Sequence, residues 1–318
     1  MEKTYNQELQ KQLESYIDAS HISQAKLAPK INISQTALSC WRRSQYDGDI
    51  GALEHKIEEF LRVENAAQEQ AAKAAPYLPV LEYIPTSISE DVYNAISYCQ
   101  MERGMVILHG DAGIGKTKGA EKFVRENPTA AVYIQATPAS GTLGNILKLL
   151  ARALRVPESR SKLELLLAIR EKLEGTNRVI IIDEAQHLKL NALEEIRTLS
   201  DPNSLTGQKG TGICLIGNTE VYSRMVGKQE AQFAQLFSRI RMNRRYSTQK
   251  VSKNDVQALF PKLAEDNAKE ELKFLHSVCH SKWGVRGAVN LYNNAVNNAD
   301  ISYKGLYGMA RSMGIGII

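Results

Sequence analysis

Apolar residues along the chain form short continuous runs that alternate with stretches of helical periodicity. Such runs are typical of strands buried on both faces of a parallel sheet, and the helical stretches are typical of its covering layers. From about residue 252 the apolar runs stop and helical periodicity alone remains. The pattern predicts an α/β fold with a parallel sheet and a helical C-terminal part. The predicted strands are residues 105–109, 131–135, 178–183, 212–217 and 240–246.

The chain divides into four predicted regions. Residues 1–63 have the pattern of a small all-α domain. Residues 64–79 are rich in Ala and Gln and end in proline, so we interpret them as a helix tail that runs into a linker. Residues 80–250 contain the five predicted strands and form the α/β core, and residues 251–318 form a helical lid on that core.

The composition and the cysteine spacing exclude several classes of protein. With 43% hydrophobic and 24% charged residues, the 318-residue chain is neither largely disordered nor collagen-like. The four cysteines form no CxxC pair, and a cluster of His276, Cys279 and His280 lacks a fourth ligand of suitable spacing. The polar N-terminus and the absence of a long apolar helix predict a soluble cytoplasmic protein without membrane contact.

A glycine-rich loop follows the first predicted strand and precedes a helical stretch. It fits the pattern GxxxxGK[ST] in the context that this phosphate-binding motif requires. Its backbone N–H groups would wrap the phosphates of ATP, and the following helix N-terminus would add positive potential. Lys116 would neutralise the β- and γ-phosphates, and the hydroxyl of Thr117 would bind Mg²⁺. The predicted cofactor-binding residues are Gly110, Asp111, Ala112, Gly113, Ile114, Gly115, Lys116 and Thr117.

Two further strand ends carry polar residues suited to ATP hydrolysis. Asp183 and Glu184 end the third predicted strand, at the edge where open α/β sheets bind their ligands. We expect Asp183 to hold the Mg²⁺ shell and Glu184 to act as general base for the attacking water. Asn218 follows the fourth strand and would orient that water, although Gly-Asn is also a common turn.

Two arginines are candidates for completing the site. Arg239 lies just before the last predicted strand, and Arg286 lies at the start of a helix in the C-terminal part. An arginine supplied to a neighbouring subunit's nucleotide would stabilise the charge of the transition state. Each of the two is equally compatible with a surface arginine or a structural ion pair.

The order of these motifs resembles that of the AAA+ ATPases. Within that class, the segments VIIIDEAQHL, GNTEVYSRMVG and FAQLFSRIRMNRR resemble the MuB-like target-capture proteins of phage Mu-type transposition. The resemblance extends over nearly the whole chain. It implies that ATP drives assembly into helical filaments on DNA, and that the filament presents target DNA to a DDE-type transposase and stimulates it.

The resemblance also implies a role for each matching residue. In such proteins a P-loop lysine and threonine bind nucleotide, an Asp-Glu pair directs hydrolysis, and arginines read the nucleotide from the lid and from a neighbouring subunit. The implied roles are Walker A for Lys116 and Thr117, Walker B for Asp183 and Glu184, sensor 1 for Asn218, trans arginine finger for Arg239 with Arg224 and Arg241 as rivals, and sensor 2 for Arg286.

The first region carries a DNA-binding hypothesis of its own. Ser34 would cap the second of two short helices, which gives a helix-turn-helix pattern with residues 35–43 as the recognition helix. Polar residues at its start would reach base edges, and Arg42 and Arg43 would contact phosphates. Residues 1–65 hold 8 basic and 10 acidic side chains, so we expect weak or auxiliary DNA binding. A helical protein-interaction domain is the alternative.

Basic residues are concentrated in two segments of the α/β core. Residues 224–250 carry seven basic side chains and one acidic, and residues 143–172 carry seven and three. In a ring or helical oligomer one face of each subunit lines a pore, where such residues would follow the DNA backbone without reading sequence. Lys148, Arg152 and Arg155 are our DNA-binding candidates, and a solvated helix face is the alternative reading.

Together the patterns predict ATP-dependent, sequence-tolerant binding of double-stranded DNA by a homo-oligomer, either a helical filament or a ring. Hydrolysis should be slow and stimulated by DNA or by a DDE-type transposase. Two alternatives stay open. A helicase loader would bind a replicative helicase and single-stranded DNA. A transcription regulator would use nucleotide to switch a helix-turn-helix dimer, although the complete pair of Asp183 and Glu184 argues against it.

Overall fold

The computed structural model describes residues 5–158, 161–202, 207, 209–226 and 240–316, without the side chains of residues 70, 71, 73 and 224–226. The chain forms two compact units, Met1–Tyr77 and Leu78–Ile318. They are called the first unit and the second unit below, and each is described by itself.

The first unit is a helical bundle around one buried cluster. Asn6 caps the first helix by accepting the N–H of Leu9, and Ser34 caps the third by accepting the N–H of Ala37, as its place before that helix predicts. Trp41 is fully buried at the centre of the cluster, and its indole N–H donates to Glu54 at 3.0 Å. The helices are α1 Gln7–Ser20, α2 Gln24–Lys30, α3 Gln35–Arg42 and α4 Ile50–Ala74.

The last helix of the first unit is also its longest. Leu53, Ile57 and Leu61 of α4 are buried in the cluster, and this four-residue spacing gives the helix its apolar stripe. Beyond residue 64 the helix continues to Ala74, and residues 65–69 and 72 are exposed. The Ala- and Gln-rich segment therefore prolongs α4 as a helix through most of the predicted linker.

The second unit contains a five-stranded parallel sheet with strand order β2-β3-β4-β1-β5. This order confirms the α/β class that the apolar runs predict. β1, β3 and β4 lie inside the sheet and are buried at every position, whereas β5 lies at the edge and alternates between exposed and half-buried residues. The strands are β1 Met105–Gly110, β2 Ala131–Gln135, β3 Val179–Asp183, β4 Gly212–Gly217 and β5 Ile240–Tyr246.

Helices cover the sheet in layers. α7, α8 and α9 share one buried cluster with alternate residues of the strands, among them Ile107, Ile182 and Leu215. α5 packs on α6 and lies against β1, β3 and β4. Because the strands are parallel, the carboxyl ends of β1, β3 and β4 lie at the same edge of the sheet. The helices are α5 Ser87–Glu102, α6 Lys116–Glu126, α7 Leu143–Ala153, α8 Lys162–Leu173, α9 Leu190–Arg197 and α10 Thr219–Val226.

The C-terminal part of the second unit is helical throughout its described residues, as predicted. The rings of Phe260 and Tyr292 pack against each other in a tilted arrangement, with centroids 4.7 Å apart. Asp255 accepts hydrogen bonds from the N–H and hydroxyl of Ser87, which ties this part to the start of α5. The helices are α11 Lys253–Leu259, α12 Pro261–Glu265, α13 Lys269–His280, α14 Gly284–Asn297 and α15 Tyr303–Ser312.

The arrangement of the described residues bears on metal and membrane binding. No group of three or more His, Cys, Asp and Glu side chains is arranged there to hold a metal ion. The rings of His276 and His280 instead both lie at the backbone carbonyl of Val251, with Nε2 at 3.3 and 2.8 Å. None of the helices in the same part of the chain is long and apolar enough to cross a membrane.

Candidate nucleotide-binding site

The glycine-rich loop follows β1 and leads directly into α6. Gly110 has φ +138°, and a Cβ there would lie 1.8 Å from the backbone oxygen of Tyr246, so no other residue fits. Gly115 has φ +100° and forms the N-cap of α6. The loop is thus held close to the edge strand by its first glycine and turned into the helix by its last. Its backbone has the tight path that a phosphate cradle needs.

Lys116 begins α6 with its side chain buried inside the loop. Its Nζ donates to the carbonyl oxygens of Gly110 at 3.1 Å and Asp111 at 2.6 Å. Burial lowers the pKa of this amine, while the nearby carboxylates of Asp183 and Glu184 act in the opposite direction. The two loop carbonyls therefore hold the ammonium group of Lys116 where the P-loop motif requires it to contact phosphate.

Asp183 lies at the carboxyl end of β3 and is only 2% exposed. Its Oδ2 accepts the hydroxyl of Thr117 at 2.9 Å and the hydroxyl of Tyr133 at 3.0 Å. Its Oδ1 accepts the backbone N–H of Glu184 at 2.8 Å. Burial and the negative charge of Asp183 raise the pKa of Tyr133 well above its usual value, so this phenol stays a donor. Three donors thereby compensate the buried carboxylate.

Glu184 follows directly, in the left-handed region with φ 53°. One of its carboxylate oxygens accepts a short hydrogen bond from the side-chain amide of Gln186. The amide oxygen of Gln186 in turn accepts the backbone N–H of Asn218 at 3.3 Å, at the end of the adjacent strand β4. A single glutamine therefore links the ends of β3 and β4. The Oδ1 of Asn218 accepts the N–H of Glu220 at 2.9 Å and caps α10.

The carboxylate of Asp111 anchors the loop. It accepts the backbone N–H of Thr248 at 2.8 Å, and the backbone N–H of Asp111 donates to Tyr246 at 3.0 Å. Burial acts to raise the pKa of Asp111, but the hydrogen bonds from Thr248 and Ser247 outweigh it and lower the pKa. The side chain is thus engaged with the segment after β5, and its backbone is the part of this residue that faces the loop.

Arg286 lies where the lid meets the glycine-rich loop. Its backbone N–H donates to the carbonyl of Gly113 at 2.9 Å. The side chain of Arg286 is exposed and lines the same cleft as Lys116. Gly284, with φ +61°, allows the start of α14 to approach Ala112, because a Cβ at that position would come within 2.9 Å of its oxygen. The lid therefore touches the loop directly.

These residues surround one cleft of about 490 Å³. Its polar side contains the loop, Asp183, Glu184 and Asn218, while the segment before α5 and the lid helices α11 and α14 supply an apolar side. A cleft with one charged end and one apolar end suits a ligand that combines phosphates with a flat ring. The apolar side is lined by Val80, Leu81, Ile84, Leu259, Val285 and Val289.

The donor set of the cleft fits a hard divalent cation. Thr117 offers a hydroxyl and Asp183 a carboxylate, and their oxygens are 2.9 Å apart. Mg²⁺ takes oxygen ligands and commonly uses one or two protein groups together with phosphates and water. The residues that the sequence nominates for the metal therefore lie together beside the phosphate loop.

The remaining predicted residues lie elsewhere or outside the described part of the chain. Arg239 is outside the described residues, as is the side chain of Arg224. The rival Arg241 is exposed on β5, with its guanidinium 3.9 Å from the carboxylate of Glu102. Identifying a trans arginine finger therefore stays a prediction.

The proposed DNA-binding residues of the core lie on or just after α7. Lys148, Arg152 and Arg155 are all exposed. The guanidinium of Arg152 is hydrogen-bonded to Glu158 at 2.8 and 3.0 Å. Such an exposed pair is weak, so it does not remove Arg152 from solvent or from a phosphate. Lys148 precedes Arg152 by one helical turn and continues the same basic surface.

The two arginines of the predicted recognition helix differ in their environment. Arg42 donates from Nε and Nη2 to the two carboxylate oxygens of Glu14, each at 2.6 Å, and from Nη1 to the side-chain oxygen of Gln24 at 2.9 Å. Arg43 is exposed and bonds to Ser39, within its own turn. Arg42 therefore holds three helices of the first unit together, whereas Arg43 is accessible.

Two residues of the cleft's hydrogen-bond network escaped the sequence reasoning. Tyr133 sits in the middle of β2 with nothing in its pattern to distinguish it from a half-buried strand residue. Gln186 follows the Asp-Glu pair by two positions, and that proximity was a usable signal. Both act through contacts with other side chains, which a spacing pattern does not reveal.

The comparisons with known proteins first define the class. Residues 99–225 match the family model of the AAA domain. The second unit thus has the P-loop and the five-stranded parallel sheet that the motif order predicts, and part of it is similar to the AAA domain. The Aeropyrum pernix ORC2 protein, solved in ADPNP-ADP complexes, shares the fold with a TM-score of 0.53 at 17% identity, covering 73% of this chain and 70% of that one.

Three curated phage and prophage proteins are similar to this chain over about nine-tenths of its length. The Mu-like prophage FluMu DNA transposition protein B of Haemophilus influenzae is 29% identical over 283 residues, which covers 88% of this chain and 93% of that protein. The ATP-dependent target DNA activator B of Escherichia phage Mu is 27% identical over 295 residues, covering 92% and 88%. That of Escherichia phage D108 is 28% identical. These homologues confirm the predicted resemblance to MuB-like proteins.

Proposed function

We propose that this protein is an ATP-hydrolysing activator of DNA transposition that assembles on duplex DNA and delivers it to a DDE-type transposase. One observation carries the proposal: the P-loop, Asp183, Glu184 and Asn218 meet in one cleft, in a chain similar to target DNA activators over about nine-tenths of its length. The cleft supplies the ATP chemistry, and the named homologues supply the process. The proposed location is the cytoplasm, where the DNA substrate lies.

ATP would enter with its phosphates in the loop and its base on the apolar side of the cleft. Lys116 would exchange the carbonyls of Gly110 and Asp111 for phosphate oxygens, a gain because both partners of the hydrogen bond would then carry opposite charges. Thr117 and Asp183 would hold Mg²⁺, which neutralises charge on the phosphates. Arg286, at the start of the lid helix α14 beside the loop, would read the presence of the γ-phosphate from the lid.

Hydrolysis requires a base and a means of placing the attacking water. Glu184 would accept the proton of that water, and Asn218 would orient it. In the structure Gln186 holds a carboxylate oxygen of Glu184, and it also contacts the backbone of Asn218. Release of Glu184 from this amide would make the base available. Such a step is consistent with slow turnover that a partner accelerates.

Assembly would follow from completing the site between two copies of the chain. The trans arginine predicted at Arg239 acts only when a second subunit borders the nucleotide, so ATP would stabilise the contact between subunits. A helical filament or a ring would then place the exposed residues Lys148, Arg152 and Arg155 of successive subunits along the duplex. Contacts of this kind neutralise phosphates and are indifferent to base sequence.

A DNA-binding measurement tests this proposal and separates it from the helicase-loader alternative. Fluorescence anisotropy would follow labelled duplex and single-stranded DNA of equal length, with ATP, ADP or no nucleotide. We expect ATP to strengthen duplex binding irrespective of sequence. A preference for single strands would contradict target capture.

A double variant locates the DNA surface in the same assay. Lys148→Ala with Arg155→Ala should weaken duplex binding and lower the salt dependence by about one phosphate contact for each residue. The matched control replaces two exposed lysines of the lid, Lys269→Ala with Lys304→Ala, and should leave the salt slope unchanged. Equal slopes for all three proteins would move the DNA surface away from α7.

A further inference from the structure

The hydroxyl of Tyr133 reaches across the sheet to the metal-binding carboxylate. Tyr133 lies on β2, and in the parallel pairing of β2 with β3 it is opposite Ile181, whereas Gln135 is opposite Asp183. The tyrosine side chain therefore spans two residues along the neighbouring strand, a diagonal that long side chains can bridge. It ends 3.0 Å from Oδ2 of Asp183.

The same oxygen receives two hydroxyl donors. Thr117 donates to Oδ2 of Asp183 from α6 at 2.9 Å, and Tyr133 donates from β2. The other oxygen, Oδ1, has the backbone N–H of Glu184. With Asp183 almost completely buried, the orientation of its carboxylate depends on these groups rather than on water.

Binding of Mg²⁺ with the nucleotide would affect the hydroxyls of Thr117 and Tyr133 differently. A threonine hydroxyl carries one hydrogen and two lone pairs, so Thr117 would have to share its hydroxyl between Mg²⁺ and Asp183 when the ion is bound. Tyr133 donates from β2 and does not line the cleft. Its donated hydrogen bond can persist in both states.

We propose that Tyr133 is a positioning residue for magnesium: its hydroxyl holds the Asp183 carboxylate in the orientation that receives Mg²⁺, while the Thr117 hydroxyl is shared with the metal. This inference rests on the proposed function. Groups that hydrogen-bond to metal-ligating carboxylates orient the ligand and commonly change metal affinity when they are removed. Tyr133 would act in this way and would touch neither ATP nor the ion.

The test compares nucleotide affinity with and without magnesium in the full chain. Tyr133→Phe removes the hydroxyl and keeps the ring, and a fluorescent ATP analogue reports binding in EDTA and along a Mg²⁺ titration. In EDTA the variant should bind like the unsubstituted protein, which also shows that its fold is intact. The Mg²⁺ concentration that gives half of the affinity gain should rise about tenfold, the lower range for loss of such a partner.

Tyr16→Phe is the matched control. Tyr16 also donates its hydroxyl to a carboxylate, Glu64, at 2.9 Å, but it belongs to the first unit. This variant should follow the unsubstituted protein in EDTA and in magnesium. A shift confined to Tyr133→Phe supports the positioning role, because general loss of a tyrosine hydrogen bond would affect both variants.

Other outcomes would overturn the inference in distinguishable ways. Superimposed Mg²⁺ titrations for Tyr133→Phe and the unsubstituted protein would show that the hydroxyl does not position Asp183. An equal loss of affinity in EDTA and in Mg²⁺ would assign Tyr133 to the general architecture of the site. If the unsubstituted protein gained no affinity from Mg²⁺ at all, the metal role within the proposed function would fail first.

Discussion

The two units of the chain use their polar side chains in opposite ways. In the second unit, residues far apart in sequence converge on one cleft, where Thr117 and Asp183 are 66 residues apart and yet hydrogen-bonded. In the first unit, Arg42 is occupied by Glu14 and Gln24 of its own bundle. The end of a strand in a parallel sheet places its side chain at the ligand-binding edge. A residue on a short helix, by contrast, can contact either a ligand or a neighbouring helix.

The difference explains why the same kind of sequence reasoning was unequally informative. The P-loop pattern specifies a backbone conformation, the charge of a lysine and a position between a strand and a helix. These three requirements constrain one another. The helix pattern of residues 23–43 includes caps and apolar spacing, which are satisfied by any small bundle. Four predictions sharpen or break this comparison, beginning with the largest effect.

Glu184→Gln should lower ATP turnover by about 10²–10⁴-fold, the range for removal of a general base. The amide is nearly the same size and keeps ATP binding, so the protein should stay in its ATP state and hold duplex DNA longer. Phosphate release and DNA dissociation, measured on the same preparation, check both effects. Faster DNA release by this variant would argue against the base role of Glu184.

Lys116→Ala should weaken ATP binding by about 100-fold or more, because two charge-assisted hydrogen bonds to phosphate are lost. Isothermal titration calorimetry measures the affinity directly. Lys172→Ala, an exposed lysine of α8 that does not line the cleft, is the matched control and should change it little. An unchanged ATP affinity in Lys116→Ala would remove the convergent cleft from nucleotide binding.

Arg42→Ala and Arg43→Ala should separate stability from DNA binding in the first unit. Arg42 is 26% and Glu14 43% exposed, so solvent screens their ion pair, and we expect a loss of about 1 kcal/mol of unfolding free energy. Arg43→Ala should leave stability unchanged and weaken any DNA binding of this unit. Urea unfolding and anisotropy provide the readouts. If Arg42→Ala weakened DNA binding and Arg43→Ala did not, Arg42 would have to leave Glu14 to contact DNA.

The smallest effect concerns the pH dependence of stability in the second unit. Burial lowers the pKa of His109, the positive charges of Arg245 and Lys116 add to this, and Asn243 opposes it. The ring also stacks on Tyr222, with centroids 5.0 Å apart. The folded protein therefore binds this proton less readily than the unfolded chain. The resulting stability is present above pH 6.5, the usual pKa, and is lost as the pH falls through the lower folded value.

Thermal unfolding at pH 7.5 and pH 5.5 tests this dependence. His109→Phe keeps a flat ring against Tyr222 and removes the titrating group. The variant should lose less stability between the two pH values than the unsubstituted protein does. Equal losses would assign the acid sensitivity to other residues.

The sheet was predictable because its inner strands are buried on both faces and read as continuous apolar runs. Even the edge strand β5 was found, although its alternation of exposed and half-buried residues is a weaker signal. The site residues at strand ends followed from the order of the strands. What the sequence could not supply were lateral contacts: the bond from Tyr133 to Asp183, the bridge by Gln186 and the anchoring of Asp111 to Thr248. Each of these depends on which strands and loops become neighbours.

The helix tail shows the same limit in the first unit. The Ala- and Gln-rich composition after residue 64 indicated a helix that fades into a linker, and the helix continues to Ala74. Its length follows from helix propensity, since Ala and Gln favour helix without help from a buried face. The contact of Arg42 with Glu14 depends instead on the packing of α1 near α3, which no local sequence pattern predicts.

Electron microscopy of the protein mixed with duplex DNA tests the central claim most directly. With ATP and Mg²⁺ we expect regular filaments or rings on the DNA, fewer with ADP and none for Lys116→Ala. Glu184→Gln should give assemblies that persist after those of the unsubstituted protein have dispersed. A protein that stays monomeric on excess duplex, whichever nucleotide is present, would contradict the account.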